Sequence, residues 1–267
     1  MPTAAFDPAR TLAAMRRRAP LVQCITNYVA MTPVANALLA AGASPAMVHA
    51  PEEAAEFARV ADALTVNIGT VSGDWLAGMT LAAAAATAAD RPWVLDPVAC
   101  FATAFRRDAA ARLLALGPTV VRGNASEIRA LGGEAGGGRG ADAGDAVAAA
   151  EDAARRLAAE RGAVVAVTGD VDFVTDGARA VRVRGGSPLL AKVTATGCAL
   201  TGLVGACAAV EEDPMAATVA ALALMAAAGE RAAAAAEGPG TFAAHLMDAL
   251  AGVDADALAA GSRLAAG

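Results

Sequence analysis

The chain has 267 residues, 57% of them hydrophobic and 18% charged, with a formal net charge of −6 at pH 7. That length suits one large α/β domain with a sizeable core, and the acidic balance argues against non-specific binding to nucleic acid or an anionic membrane. Four cysteines, Cys24, Cys100, Cys198 and Cys207, show no C-x-x-C spacing and no accompanying histidine pair, which argues against structural zinc and a disulfide framework and points to a reducing cytoplasm.

In chain order, Arg16-Arg17-Arg18 precede only a short apolar run, so no leader is expected and the cytoplasm is the expected location. Two periodicities then alternate. Strand-type runs are read at residues 46–49, 64–68, 93–95, 119–122 and 164–168. Helical patterns are read at 33–41, 52–60, 74–88, 106–116 and 142–160, with a further helix starting at Asn124. Residues 173–175 and 180–184 flank Asp176-Gly177 and read as an antiparallel hairpin at the sheet edge. From there the pattern is helical, at 197–210, 215–236 and 241–260. The longest apolar stretches are short for a membrane span and mostly alanine, so they read as buried or interface helices. The segment 132–144, rich in Gly and small residues, reads as a mobile surface loop. The expected architecture is a three-layer α/β/α domain spanning residues 1–267, with a mostly parallel sheet and an antiparallel edge hairpin.

In open parallel sheets ligands bind beyond the carboxyl ends of the strands. The expected strand ends here carry Met47 to His49, Asn67-Ile68-Gly69, Asp96-Pro97, Arg122-Gly123-Asn124 and Thr168-Gly169-Asp170. Asp96 and Glu127 are the acids to pair, as direct or water-mediated ligands of Mg²⁺, which takes hard oxygen donors. Glu127 also stands at the third position of Asn124-Ala125-Ser126-Glu127, where it would close a capping box. Arg122 could hold a phosphate oxygen or bridge to a neighbouring acid. Lys192, the only lysine, precedes Val193-Thr194-Ala195-Thr196-Gly197-Cys198 at the start of an apolar helix. Free N–H groups there bind anions, and a thiol in the first turn is expected to have a lowered pKa. Such a loop could stabilise the charge on a transferring phosphoryl group. It could equally be a glycine-containing cap with Cys198 packed as a small apolar residue. No G-x-x-x-x-G-K-[ST], no G-x-S-x-G and no dinucleotide fingerprint in strand context is present.

These residues converge on a resemblance. Pro20-Leu21-Val22-Gln23-Cys24-Ile25-Thr26-Asn27, Gly42-Ala43-Ser44-Pro45-Ala46-Met47, Asn67-Ile68-Gly69-Thr70, Leu95-Asp96-Pro97-Val98, Arg122-Gly123-Asn124-Ala125-Ser126-Glu127, the loop from Thr194 to Cys198, and Gly238-Pro239-Gly240-Thr241-Phe242 all resemble the hydroxyethylthiazole kinase family. The resemblance implies a ribokinase-like fold without a lid. It implies ATP- and Mg²⁺-dependent phosphorylation of 4-methyl-5-(2-hydroxyethyl)thiazole in thiamine biosynthesis and salvage, by a homotrimer with active sites at subunit interfaces. By motif, Asn27 and Met47 would touch the thiazole, and Arg122, Thr168 and Thr194 would contact ATP. Asp96 and Glu127 would serve the metal. Ala195, Gly197 and Cys198 would hold the substrate hydroxyl and the phosphoryl group, with Gly197 and Cys198 as the catalytic pair. A relative acting on another small alcohol, or a binding protein that keeps the fold without turnover, are the alternative readings. The chain departs from the family pattern at Gln23, where His is common, and at Ala195, where Gly is usual. It departs again in Ala99-Cys100-Phe101-Ala102, which replaces Gly-Ala-Gly-Ala. Loss of glycine there restricts the backbone.

Overall fold

A computed structural model of the chain describes residues 6–133, 143–259 and 263–267. The apolar runs become the strands of one sheet: β1 Leu21–Ile25, β2 Ser44–Ala46, β3 Ala63–Asn67, β4 Trp93–Asp96, β5 Val120–Asn124, β6 Val164–Thr168, β7 Val171–Thr175, β8 Ala180–Arg184 and β9 Leu264–Ala266. They lie in the order β2-β1-β3-β4-β5-β6-β7-β8-β9. β1 to β6 are parallel, whereas β7, β8 and β9 pair antiparallel.

The connections are the helices α1 Pro8–Arg18, α2 Met31–Ala41, α3 Ala54–Val60, α4 Gly73–Ala88, α5 Ala104–Leu114, α6 Ala125–Leu131, α7 Ala143–Arg161, α8 Thr196–Ala208, α9 Pro214–Ala235, α10 Pro239–Gly252 and α11 Ala255–Ala259. Successive strand residues face opposite sides of the sheet. Val94, Val120, Val164 and Ala166 join one core with α1, α2, α8, α9 and α10. Leu95, Val121, Val165 and Val167 join the other, with α3 to α7. Both faces are covered, which is why the central strands read as continuous apolar runs. α9 is long and apolar enough by composition to cross a membrane, but it is a core helix, mostly buried inside the protein. The chain leaves β1 toward β2 and then crosses back to β3 on the other side. β1 and β3 therefore flank a point where the direction of winding reverses, the place where such sheets open a crevice at their carboxyl ends.

The structure departs from the sequence reading in several elements. α1 and β1 were not among the runs read as helix and strand, nor was the three-residue β9, which adds outside the expected hairpin. The strand expected at 46–49 is instead Ser44–Ala46. Residues 47–49 leave the sheet, with His49 Nδ1 hydrogen-bonded to the carbonyl of Met47 at 3.1 Å. The helix expected at 241–260 divides at Val253, whose backbone is extended, and Asp254 caps the restart by accepting the N–H of Ala257. Most of the segment 132–144 lies outside the described residues.

Candidate active site

The carboxyl ends of β1 and β3 to β6 bring most of the expected polar residues together. Asp96, the last residue of β4, is almost completely buried. Its Oδ2 accepts hydrogen bonds from Asn67 Nδ2 at 2.6 Å and Thr201 Oγ1 at 2.8 Å, and Arg122 Nη1 lies 3.6 Å away. Its Oδ1 is buried with no hydrogen-bond partner. Burial pushes the Asp96 carboxyl above its usual range, against the opposing pull of Arg122 and the two donors. The chain thus holds a costly buried carboxylate with one oxygen tied and the other open, an arrangement suited to a function more than to stability.

Three residues link Asp96 to the β1/β3 crevice. Asn27, just beyond β1, donates from Nδ2 to Asn67 Oδ1 at 2.9 Å, and its own Oδ1 accepts the N–H of Ala30. Both asparagine amides also donate to Cys198 Sγ, at 3.3 Å from Asn27 and 3.4 Å from Asn67. Cys198 sits in the first turn of α8. Its thiol pKa is raised, first by burial and then by the Asp96 charge. The expected lowering at a helix start is overturned, because the partial charge of the helix end is outweighed by desolvation and a neighbouring carboxylate.

Arg122 occupies the next position along the strand ends. Its Nη2 donates to Thr168 Oγ1 at 2.6 Å, and that hydroxyl is also 3.3 Å from the Gly123 carbonyl. The guanidinium lies against the start of α8: a Cβ on Gly197 would come within 3.0 Å of Nη1 and 3.2 Å of Nη2. Arg122 thus bridges to a neighbouring acid, one of its two expected roles, and lies at a helix N-terminus. Glu127 closes the capping box of α6, with Oε2 accepting the N–H of Asn124 at 2.8 Å. Its Oε1 accepts the N–H of Ala99 at 2.9 Å. Burial and the nearby Asp96 charge raise its pKa, so the two acids share one electrostatic environment.

Met47 is partly buried just past β2 and packs on the α8 side of the sheet. Thr194 and Lys192 are exposed on the approach to α8, while Thr196 ties that approach by donating to the carbonyls of Leu190 and Val193. Thr201 was missed at the sequence level, and Asn67 was noted as a strand end without a role. Thr201 stands one turn beyond Gly197, a polar residue within the apolar body of α8, which was the available signal. Asp172 at the start of β7 was also missed. It accepts the Gly169 N–H at 3.0 Å, and burial pushes its carboxyl to about 6.

Two of the family departures fall on left-handed backbone. Ala99 has φ +51° and Ala195 φ +66°. Both alanines thus occupy a backbone conformation that glycine adopts freely. For an L-residue that region costs about 1–2 kcal/mol, offset in part by roughly 0.5–1 kcal/mol of extra entropy that glycine loses on folding. Ala195→Gly is therefore expected to stabilise the protein by about 0.5–1 kcal/mol, raising the melting temperature by roughly 2 °C. A lower melting temperature in the variant would show that Ala195 is unstrained.

The hydroxyethylthiazole kinase family model matches residues 12–256. A hydroxyethylthiazole kinase of Rhizobium etli is 65% identical over 254 residues, covering 95% of this chain and 98% of that one. One of Cereibacter sphaeroides is 64% identical over 252 residues, covering 94% and 96%. The solved hydroxyethylthiazole kinase of Pyrococcus horikoshii superposes with a TM-score of 0.90 at 41% identity, over 97% of this chain and 98% of that one. Pyridoxal kinase of Staphylococcus aureus in complex with AMP-PCP and pyridoxal superposes at a TM-score of 0.59 and 17% identity, over 79% and 88%, and so shares the fold alone.

Proposed function

The chain belongs to the hydroxyethylthiazole kinase family, and from that premise we propose that its strand-end site transfers the γ-phosphoryl group of ATP to the hydroxyl of hydroxyethylthiazole. The product, a thiazole phosphate, is an intermediate for thiamine biosynthesis and salvage. The observation that carries the reading is Asp96: a buried carboxylate whose Oδ2 is held by Asn67 and Thr201 and lies 3.6 Å from the Arg122 guanidinium near the start of α8, while its Oδ1 has no hydrogen-bond partner.

In the proposed arrangement Asn27 and Met47 hold the thiazole, and Arg122 and Thr168 hold the nucleotide phosphates, with Thr194 at the outer edge. The free N–H groups that open α8, from Ala195 to Cys198, receive the transferring group, since the helix end carries no side-chain cap and favours negative charge. The acceptor oxygen forms its bond to phosphorus as the bond to the β,γ-bridging oxygen breaks, and the hydroxyl proton leaves late, to water. A loose transition state asks mainly for positioning and charge stabilisation.

Mg²⁺ fits the acid set in part. Among the described residues no group of three or more His, Cys, Asp or Glu is arranged to hold a metal, which suits an ion bound through one or two carboxylates, waters and phosphate oxygens. Asp96, whose Oδ1 has no hydrogen-bond partner, is the direct candidate. Glu127 has both oxygens on backbone N–H groups and is better placed to act through water. When bound, the ion would neutralise charge on the transferred group.

Cys198 serves as a positioning group rather than a base, because its thiol stays protonated at neutral pH. Cys198→Ser is expected to keep kcat within about tenfold of wild type, whereas loss of a general base removes 10²–10⁴-fold. A loss near a thousandfold, with one limb of the pH–rate profile gone, would make Cys198 the base.

The family resemblance also carries a homotrimer with its sites at subunit interfaces and a cytoplasmic location. Tyr28 and Val29, directly after Asn27, are 64% and 58% exposed, which supports an interface beside the site, and four free cysteines support a reducing compartment. Light scattering tests the assembly. Incubation with the thiazole alcohol, ATP and Mg²⁺, read by mass spectrometry for thiazole phosphate and matched ADP, tests the reaction. Folded protein that forms no product would sink the proposal, and ADP released only with another alcohol would reassign the acceptor.

A further inference from the structure

Trp75 lies in the first turn of α4, where its N–H is taken by the capping Ser72 side chain. Its ring stands between two loops. On one side it stacks on His49, with centroids 4.3 Å apart and planes at 11°. On the other it meets Tyr28 at 4.4 Å and 72°, an edge contact. Both are favoured aromatic geometries. The ring is buried and its Nε1 has no hydrogen-bond partner, so packing alone places it.

The two loops are the ones that carry the proposed acceptor contacts. Tyr28 follows Asn27, and its N–H is held by Thr70 Oγ1 at 3.0 Å. His49 follows Met47 by two residues and bonds its carbonyl. A carbonyl only accepts, so Nδ1 carries the proton. The segment around Met47 has left the sheet and depends on such side-chain ties. Gln23 Nε2 donates to the Val48 carbonyl at 2.9 Å. Gly78, one turn along α4 from Trp75, lets the helix approach so closely that a Cβ there would overlap the His49 carbonyl oxygen.

We propose that Trp75 is a positioning residue that sets acceptor specificity, by holding the Asn27 and Met47 loops at one separation through its contacts with Tyr28 and His49. The inference rests on the reading that Asn27 and Met47 bind the acceptor. It concerns the width of that site alone, so the nucleotide end and the chemical step are left unchanged.

The test uses the full chain and compares Trp75→Phe, His49→Phe and Met47→Ala with wild type. Trp75→Phe keeps a ring in place but shortens its reach. His49→Phe keeps the stack and loses the bond to Met47. Trp75→Phe and His49→Phe are each expected to raise KM for hydroxyethylthiazole about tenfold while kcat and KM for ATP stay within about twofold. Discrimination against a benzo-fused analogue of the alcohol should fall in Trp75→Phe. The inference is overturned if Met47→Ala raises the acceptor KM while both aromatic variants leave it and the discrimination unchanged. If Met47→Ala is also silent, the acceptor-site reading fails and the inference falls with it. An equal loss of kcat and of ATP affinity in Trp75→Phe would mark Trp75 as a general structural residue and overturn the proposal too.

Discussion

Asp96→Asn is expected to lower kcat by roughly a thousandfold, about 4 kcal/mol of transition-state stabilisation, with the fold intact. The substitution preserves shape. Its oxygen can still accept from Asn67 and Thr201, while its amide nitrogen takes the place of the open Oδ1. What disappears is the negative charge and the free acceptor. Stability should not fall. Removing one member of a buried ion pair is often destabilising, but the raised pKa of Asp96 means that burial outweighs Arg122 and the folded protein already disfavours that charge.

The same direction has a consequence for pH. Asp96, Glu127 and Asp172 all have raised pKa values, Asp172 to about 6. A carboxyl raised on folding binds its proton more tightly in the native state, so these groups add stability as pH falls through their folded pKa values and lose it as pH rises. Asp176, Asp213 and Glu230 are lowered by Arg179 or Arg263 or by backbone donors. Their stabilisation is lost only below the ordinary carboxylate range of about 4. Between roughly pH 7.5 and 5.5 Asp172 therefore governs, and the melting temperature should be higher at the lower pH. In Asp172→Asn this rise should shrink. A wild-type melting temperature that drops over this interval would contradict the raised pKa of Asp172.

Arg122→Lys is expected to cut kcat/KM for ATP by about a hundredfold, with the larger part in KM for ATP and little change in KM for the alcohol. The guanidinium fork reaches Thr168 with one nitrogen and the Asp96 side with the other. A single ammonium cannot do both. Gly197→Ala should push in the same direction by a smaller amount, because its methyl would crowd the guanidinium. A selective loss of alcohol affinity in Arg122→Lys would place the arginine at the wrong end of the site.

Much of the architecture was legible because buried parallel strands are continuous apolar runs, and the helices between them carry the longer period. β1 was harder to see. Its central residue, Gln23, is polar yet fully buried, because its amide is spent on the Val48 and Ala54 carbonyls rather than on water. β9 is three residues long, two of them alanine, and depends on pairing with β8.

The site divides in the same way. Asp96, Arg122 and Thr168 could be placed along one edge because they lie at strand ends, and Glu127 because its capping-box position sets it at the start of α6. Asn67 and Thr201 acquire their roles only when β3, β4 and α8 converge on one carboxylate. The Cys198 thiol was read in the wrong direction for a similar reason: the helix start is local and visible in sequence, whereas burial and the Asp96 charge are tertiary. That Ala99 and Ala195 take left-handed backbone could not be read from the sequence, because it depends on how much strain the surrounding fold sustains.

The most direct measurement is a structure with hydroxyethylthiazole and a non-hydrolysable ATP analogue bound together. The expected result places the γ-phosphate at the N–H groups opening α8, within reach of Arg122, and the acceptor hydroxyl beside Cys198 and Asp96, with the thiazole ring between Asn27 and Met47. A nucleotide bound elsewhere, or a thiazole whose hydroxyl points away from Asp96, would contradict the account.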